Sequence, residues 1–92
     1  MNSNGKYKIV ITKAAQKDKE KIKVLPALRN KVDILLEVLR NNPYQTPPPY
    51  EKLIGDYNSC YSRRINRQHR LVYMIDEAQK TVKIIAMWTH YE

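Results

Sequence analysis

Ninety-two residues hold one hydrophobic core and one domain, residues 1–92, and exclude a two-domain enzyme, since a single core normally takes about 100 residues or somewhat fewer. Seventeen Lys and Arg against nine Asp and Glu leave a formal net charge of +8, which points to a polyanion or an acidic partner. An apolar content of 42% supports a folded chain, and the single cysteine, Cys60, excludes an intrachain disulfide and a multi-cysteine metal site. A reducing, cytoplasmic setting is expected. Residues 1–8 carry no apolar run of the signal-peptide kind, and no stretch approaches the about 18 apolar residues of a membrane span, so no membrane association is expected.

Residues 7–12 (YKIVIT) are short and β-branched and predict a strand. Ala15, Ile22 and Leu25 then recur at helical spacing among lysines, so the strand runs into a basic helix. Lys13, Lys17, Lys19, Lys21 and Lys23 on that helix are expected to be solvated. Pro26 suits the first turn of a second helix, where its missing N–H is not needed; Leu28, Val32, Leu35, Leu36 and Leu39 follow on one face, predicting a helix over about 26–41. Asn41, Asn42 and Pro43 stop it, and Pro47, Pro48 and Pro49 impose an extended, exposed loop.

From Tyr50 onward the period becomes two. Tyr61, Arg63 and Ile65 fall on one face of a strand and Ser62 and Arg64 on the other. A turn at 66–68 leads to a strand over 69–75 (HRLVYMI), and a turn at 76–79 leads to a last strand over 81–88 (TVKIIAMW). The last two strands carry apolar residues on both faces and are expected at the centre of the sheet. Together these elements predict an α+β domain: an N-terminal strand, two helices, then an antiparallel sheet of three to four strands.

Arg63, Arg64, Arg67 and Arg70 lie within eight positions on two strands joined by a turn, so they are expected to converge into a positive patch. Guanidinium groups match phosphate bidentately, and Tyr61, Tyr73 and Trp88 nearby offer surfaces on which bases could stack. A solvated, salt-bridged face is the competing interpretation. Glu51, at the exit of the Pro-rich loop, reads either as a general base in a basic groove or as an ion-pair partner of Lys52 or an arginine. His90 reads either as a general acid, since imidazole titrates near neutrality, or as an ordinary tail residue. His69 reads as structural or exposed, and Cys60 as a small packing residue. No ligand spacing suggests a metal, and with only two glycines there is no phosphate-binding loop, so no cofactor is expected.

The run EKLIGDYNSCYSRRINRQHRLVY, residues 51–73, resembles the hallmark segment of the YoeB/Txe branch of the RelE toxin superfamily, and His90-Tyr91 resembles that branch's closing His-Tyr pair. The resemblance implies a compact RelE-like (microbial ribonuclease-like) fold. It also implies a ribosome-dependent endoribonuclease, the toxin of a type II toxin–antitoxin pair, cutting mRNA in the A site of the 70S ribosome without a metal. Position by position, it makes Glu51 the general base, Arg70 the phosphate-binding arginine, His90 the general acid and Tyr91 the site tyrosine. RNA contacts are expected from Arg63, Arg64, Lys52, Arg67 and Tyr61. The partners implied are a cognate acidic antitoxin of the YefM/Axe kind and, as often in this branch, a homodimer. Two departures from the branch stand out: Lys52, Leu53 and Ile54 replace a common Pro-Leu-Lys after the glutamate, and Glu92 follows Tyr91. The rival reading is a non-catalytic module of the same fold that binds RNA, the ribosome or an antitoxin.

Overall fold

The strand-to-helix switch near the N-terminus is made by Thr12, whose hydroxyl accepts from the Ala15 N–H and donates to the Ile84 carbonyl at 2.8 Å. An N-cap of this kind satisfies one of the otherwise unpaired amides of the first turn, and here it also ties the helix to a strand. The computed structural model describes residues 6–54 and 59–88. They form β1 (Lys8–Ile11), α1 (Lys13–Ile22), α2 (Pro26–Asn41), β2 (Glu51–Lys52), β3 (Cys60–Arg64), β4 (Arg70–Asp76) and β5 (Thr81–Ala86). Pro26 occupies the first turn of α2, as its missing N–H allows, and that helix ends at Asn41.

The five strands make one sheet in the order β1-β5-β4-β3-β2. β2, β3, β4 and β5 pair antiparallel, with β4 central, whereas β1 lies parallel to β5, Ile9 beside Val82. The α+β class holds, with a difference in strand count: the sheet is mixed and five-stranded, not an antiparallel unit of three to four. A parallel partner about 70 residues downstream leaves no local pattern, because it needs a crossover and not a turn.

One face of the sheet is covered by the two helices. Ala15 and Ile22 of α1 and Val32, Leu35, Leu36 and Leu39 of α2 pack on Leu71, Tyr73, Val82, Ile84 and Met87. Each fully buried Leu, Ile or Val here contributes about 1.5–3 kcal/mol over leaving it in water, so this interface sets the sheet's orientation. The opposite face carries Glu51, Arg64 and Arg70; Ser62 and Val72 are buried on it, whereas Glu51 and Arg64 are exposed. No helix among the described residues is long and apolar enough to cross a membrane.

In the β4–β5 turn, Glu77 accepts from the Tyr44 hydroxyl (2.6 Å) and the Tyr7 hydroxyl (2.8 Å). These bonds join the segment before β1, the loop after α2 and the turn. The hydroxyl of Tyr44, then that of Tyr7, with Lys80 adding its charge, hold the Glu77 carboxyl below its usual range. The same carboxylate pushes Tyr44 up. A carboxyl with a lowered folded-state pKa stabilises the fold above its unfolded pKa, and that stabilisation is lost as pH falls through the folded value. Glu77→Gln is therefore expected to lower the melting temperature at pH 7 and to converge with wild type as the pH drops below about 4, a trend that melting curves taken across the acid range will check.

Candidate active site

β2 is only two residues long, and its first residue, Glu51, lies opposite Ser62 of β3. β3 and β4 pair so that Arg64 faces Arg70 and Ser62 faces Val72. Because side chains alternate along a strand, Glu51, Ser62, Arg64 and Arg70 all stand on the face opposite Tyr61, Arg63 and Leu71. Arg70 Nη1 donates to Glu51 Oε1 at 3.1 Å and to the Ser62 hydroxyl at 3.2 Å. The Ser62 side chain is buried, so it fixes the guanidinium, while Glu51 itself is exposed.

Arg64 and Arg70 are directly cross-strand, an arrangement of like charges that is destabilising unless an anion intervenes. Glu51 supplies one negative charge. The Glu51 side chain retains 67% of its accessibility while that of Arg70 retains 18%, so the carboxylate end of the pair stays hydrated and the guanidinium end is largely fixed. An arrangement of this kind, a hydrated carboxylate beside a fixed guanidinium, can pair a proton acceptor with a phosphate-binding cation. Arg67 is exposed in the turn that joins β3 to β4 and adds to the positive field at this end of the sheet.

Three of the residues expected to contact RNA lie elsewhere. Arg63 is buried, 1% exposed, on the helix-facing side of the sheet. Its Nε donates to the Tyr73 hydroxyl at 3.0 Å, Nη2 to the carbonyls of Pro43 and Gln45 at 2.9 Å each, and Nη1 to that of Pro48. The guanidinium also lies 4.9 Å from the Tyr50 ring centroid. It is thus a bolt for the Pro-rich loop and not part of the surface patch.

Tyr61 sits on the same inner face, stacked on Tyr73 with ring centroids 6.0 Å apart and edge-on to Tyr50. Tyr73 is fully buried, and burial pushes its hydroxyl up to about 12. Neither ring is free to receive a base. Lys52, opposite Tyr61, is directed by the strand alternation to the side away from Glu51. Arg64 and Arg70 remain paired on the outer face, with Arg67 in the turn between their strands, so the alternation that separates Arg63 from Arg64 divides the arginine cluster in two.

His69 is buried and stacks on Trp88, ring centroids 4.1 Å apart, so one face of the indole is covered. Cys60 is buried as expected of a packing residue, and desolvation pushes its thiol up. His90 and Tyr91 lie outside the described residues.

Two contributors escaped sequence reasoning. Ser62 was legible from the alternation that places it with Arg64. Asp18 carries a clearer signal: it falls between Ala15 and Ile22 at helical spacing, an acid on the line that faces the sheet. Asp18 Oδ2 accepts from the backbone N–H of Met87 (3.0 Å) and of Trp88 (3.3 Å), at the end of β5. Hydrogen bonds to a charged acceptor contribute about 1.5–3 kcal/mol. Asp18→Ala is expected to lose about 2 kcal/mol in urea denaturation, with Asp18→Asn nearer to wild type because its amide oxygen still accepts.

The chain was compared with known proteins. Residues 15–91 match the family model described as the YoeB-like toxin of bacterial type II toxin–antitoxin systems. Toxin YoeB of Synechocystis sp. is 32% identical over 65 residues, covering 71% of this chain and 73% of that protein. Among solved structures, the YoeB/ParE toxin from Agrobacterium tumefaciens superposes with a TM-score of 0.83 at 27% identity, over 91% of this chain and 99% of that one. The toxin fold in a YoeB–YefM complex from Staphylococcus aureus gives 0.78 at 31% identity, over 92% and 98%. A YoeB dimer from the same organism gives 0.79 at 31%, over 94% and 99%.

Proposed function

The chain belongs to the family of YoeB-like toxins of bacterial type II toxin–antitoxin systems, and from that premise we propose that it is a ribosome-dependent endoribonuclease that cleaves mRNA in the A site of the 70S ribosome. The observation that carries this reading is the pairing of Glu51 with Arg70 at 3.1 Å on the sheet face that also carries the exposed Arg64. Simple RNA binding gains nothing from a carboxylate in that position, whereas cleavage by the 2′-hydroxyl needs a proton acceptor beside a phosphate-binding cation.

In this mechanism the Glu51 carboxylate takes the 2′-OH proton, and the 2′ oxygen attacks the adjacent phosphorus. Arg70, held by Ser62, neutralises charge on the non-bridging oxygens, and Arg64 and Arg67 hold the neighbouring backbone. As the bond from phosphorus to the 5′ oxygen breaks, the imidazolium of His90 gives that oxygen its proton, and Tyr91 is proposed as the site tyrosine. The products are a 2′,3′-cyclic phosphate (or 3′-phosphate) and a 5′-hydroxyl. DNA lacks the nucleophile and is not cut. A base as exposed as Glu51 leaves much of the positioning to the ribosome, which closes the site from the other side.

The same basic face suits an acidic antitoxin of the YefM kind, and the chain is proposed to work as a single cytoplasmic domain of residues 1–92 that pairs with a second copy. Toeprinting of a defined messenger in a reconstituted translation system tests the reading. Cleavage at the A-site codon that requires ribosomes, and that is lost in Glu51→Gln and His90→Ala, is the expected result. Cleavage of naked RNA at the same rate removes the ribosome from the mechanism, and a folded wild type that binds ribosomes without cutting assigns a binding module instead.

A further inference from the structure

β2 cannot hold Glu51 in place by itself. It pairs through only two residues, Glu51 and Lys52, at the sheet edge; both are exposed, and the Leu53 N–H to Cys60 carbonyl bond extends the pairing by one step. What precedes it is a proline-rich loop whose backbone carbonyls at Pro43, Gln45 and Pro48 all converge on one buried guanidinium. That guanidinium belongs to Arg63, the next residue in β3 after Ser62, which is the register partner of Glu51 and the hydroxyl on Arg70. Tyr50, immediately before Glu51, lies against the same group.

We propose that Arg63 is the positioning residue for the acid–base site: from the inner face of β3 it anchors the loop that delivers Glu51, while the same strand's outer face sets Arg70 through Ser62. A planar fork with fixed donor directions can hold several carbonyls in one arrangement, which the point charge of a lysine cannot. Among the described residues no carboxylate pairs with Arg63, so its partners are neutral carbonyls, a tyrosine hydroxyl and an aromatic face. The loop is therefore the ligand of the guanidinium, and the guanidinium is the template of the loop. This inference rests on Glu51 acting as the base, and it adds a requirement that composition or surface charge alone does not make.

Two substitutions test it, Arg63→Lys and the milder Tyr73→Phe, which removes only the acceptor of Nε. Single-turnover cleavage on saturating ribosomes is expected to fall about 100-fold in Arg63→Lys, since misplacement of a reacting group by about 1 Å costs this much, with ribosome affinity unchanged. Tyr73→Phe is expected to fall in the same direction by a smaller factor. In a Glu51→Gln background neither substitution lowers the residual rate further, because a residue that acts through Glu51 has nothing left to position. Equal losses in both backgrounds would mean a merely structural arginine and overturn the proposal. Amide exchange supplies a readout independent of activity: the Leu53 N–H is expected to exchange at least about tenfold faster in Arg63→Lys, with protection in β4 and β5 retained. Unchanged Leu53 protection overturns the positioning role. A wild type whose cleavage is indifferent to Glu51→Gln, with Leu53 still loosened by Arg63→Lys, places the failure in the functional reading and leaves the anchoring of β2 by Arg63 supported.

Discussion

Glu51→Gln is expected to lower ribosome-dependent cleavage by about 10²–10⁴-fold, the range in which a positioned general base contributes, while leaving the melting temperature within a few degrees of wild type. The amide is isosteric and its oxygen can still accept from Arg70 Nη1, so the 3.1 Å contact survives in the variant. What is lost is the capacity to take a proton. The stability effect stays small because the amide keeps the contact and the Glu51 side of the pair is solvated. Arg70→Lys is the companion test. It keeps the charge but not the fork that reaches Glu51 and Ser62 together, and a loss of about 10²-fold in cleavage is expected, comparable to removing one donor from a transition-state oxyanion. Circular dichroism melts beside single-turnover rates separate the two effects. A Glu51→Gln protein that still arrests translation fully would point to binding, not cleavage.

The largest loss of stability is expected one residue away from the patch. Arg63→Ala removes the donors for three loop carbonyls and the Tyr73 hydroxyl and leaves a void under the loop. Each buried group left without a partner costs about 1–3 kcal/mol. Loop carbonyls that swing out to water recover part of this, so a net loss of about 3–5 kcal/mol is expected, the range seen when a buried charged cluster is broken. Against a total stability of about 5–15 kcal/mol this is a large fraction, and for a domain of this size it lowers the midpoint by about 15–30 °C. Arg64→Ala, its exposed neighbour, is expected to shift stability by less than about 0.5 kcal/mol, since it also relieves the repulsion of a cross-strand pair. Two arginines adjacent in sequence thus separate cleanly in a thermal melt.

That contrast shows how the arginine cluster was legible in part. The alternation of a strand already assigned Arg63 to the side of Tyr61 and Ile65, and Arg64 to the side of Ser62. Which side faces the helices, however, depends on Leu71, Tyr73, Val82 and Ile84 arriving from other strands. An exposed and a buried guanidinium look alike in a list of charges. Tyr61 and Lys52 followed the same logic, since both share the inner side once the register of β2 and β3 is known.

Local patterns carried most of the fold. A 3.6-residue recurrence of Leu and Val after Pro26 and two-residue alternation after Tyr50 follow from backbone geometry, and α2 and the β3-β4-β5 meander lie where those periods place them to within one or two residues, the last strand ending at Ala86 and not at Trp88. The family resemblance, too, was readable from a short run of residues. Long-range partners were not. The parallel seating of β1 beside β5, the hold of Asp18 on Met87 and Trp88, and the anchoring of the Pro-rich loop by Arg63 each join residues 15 to 73 positions apart in the chain. No periodicity records such contacts, because they exist only after the helices have covered one face of the sheet and left Glu51, Arg64 and Arg70 together on the other.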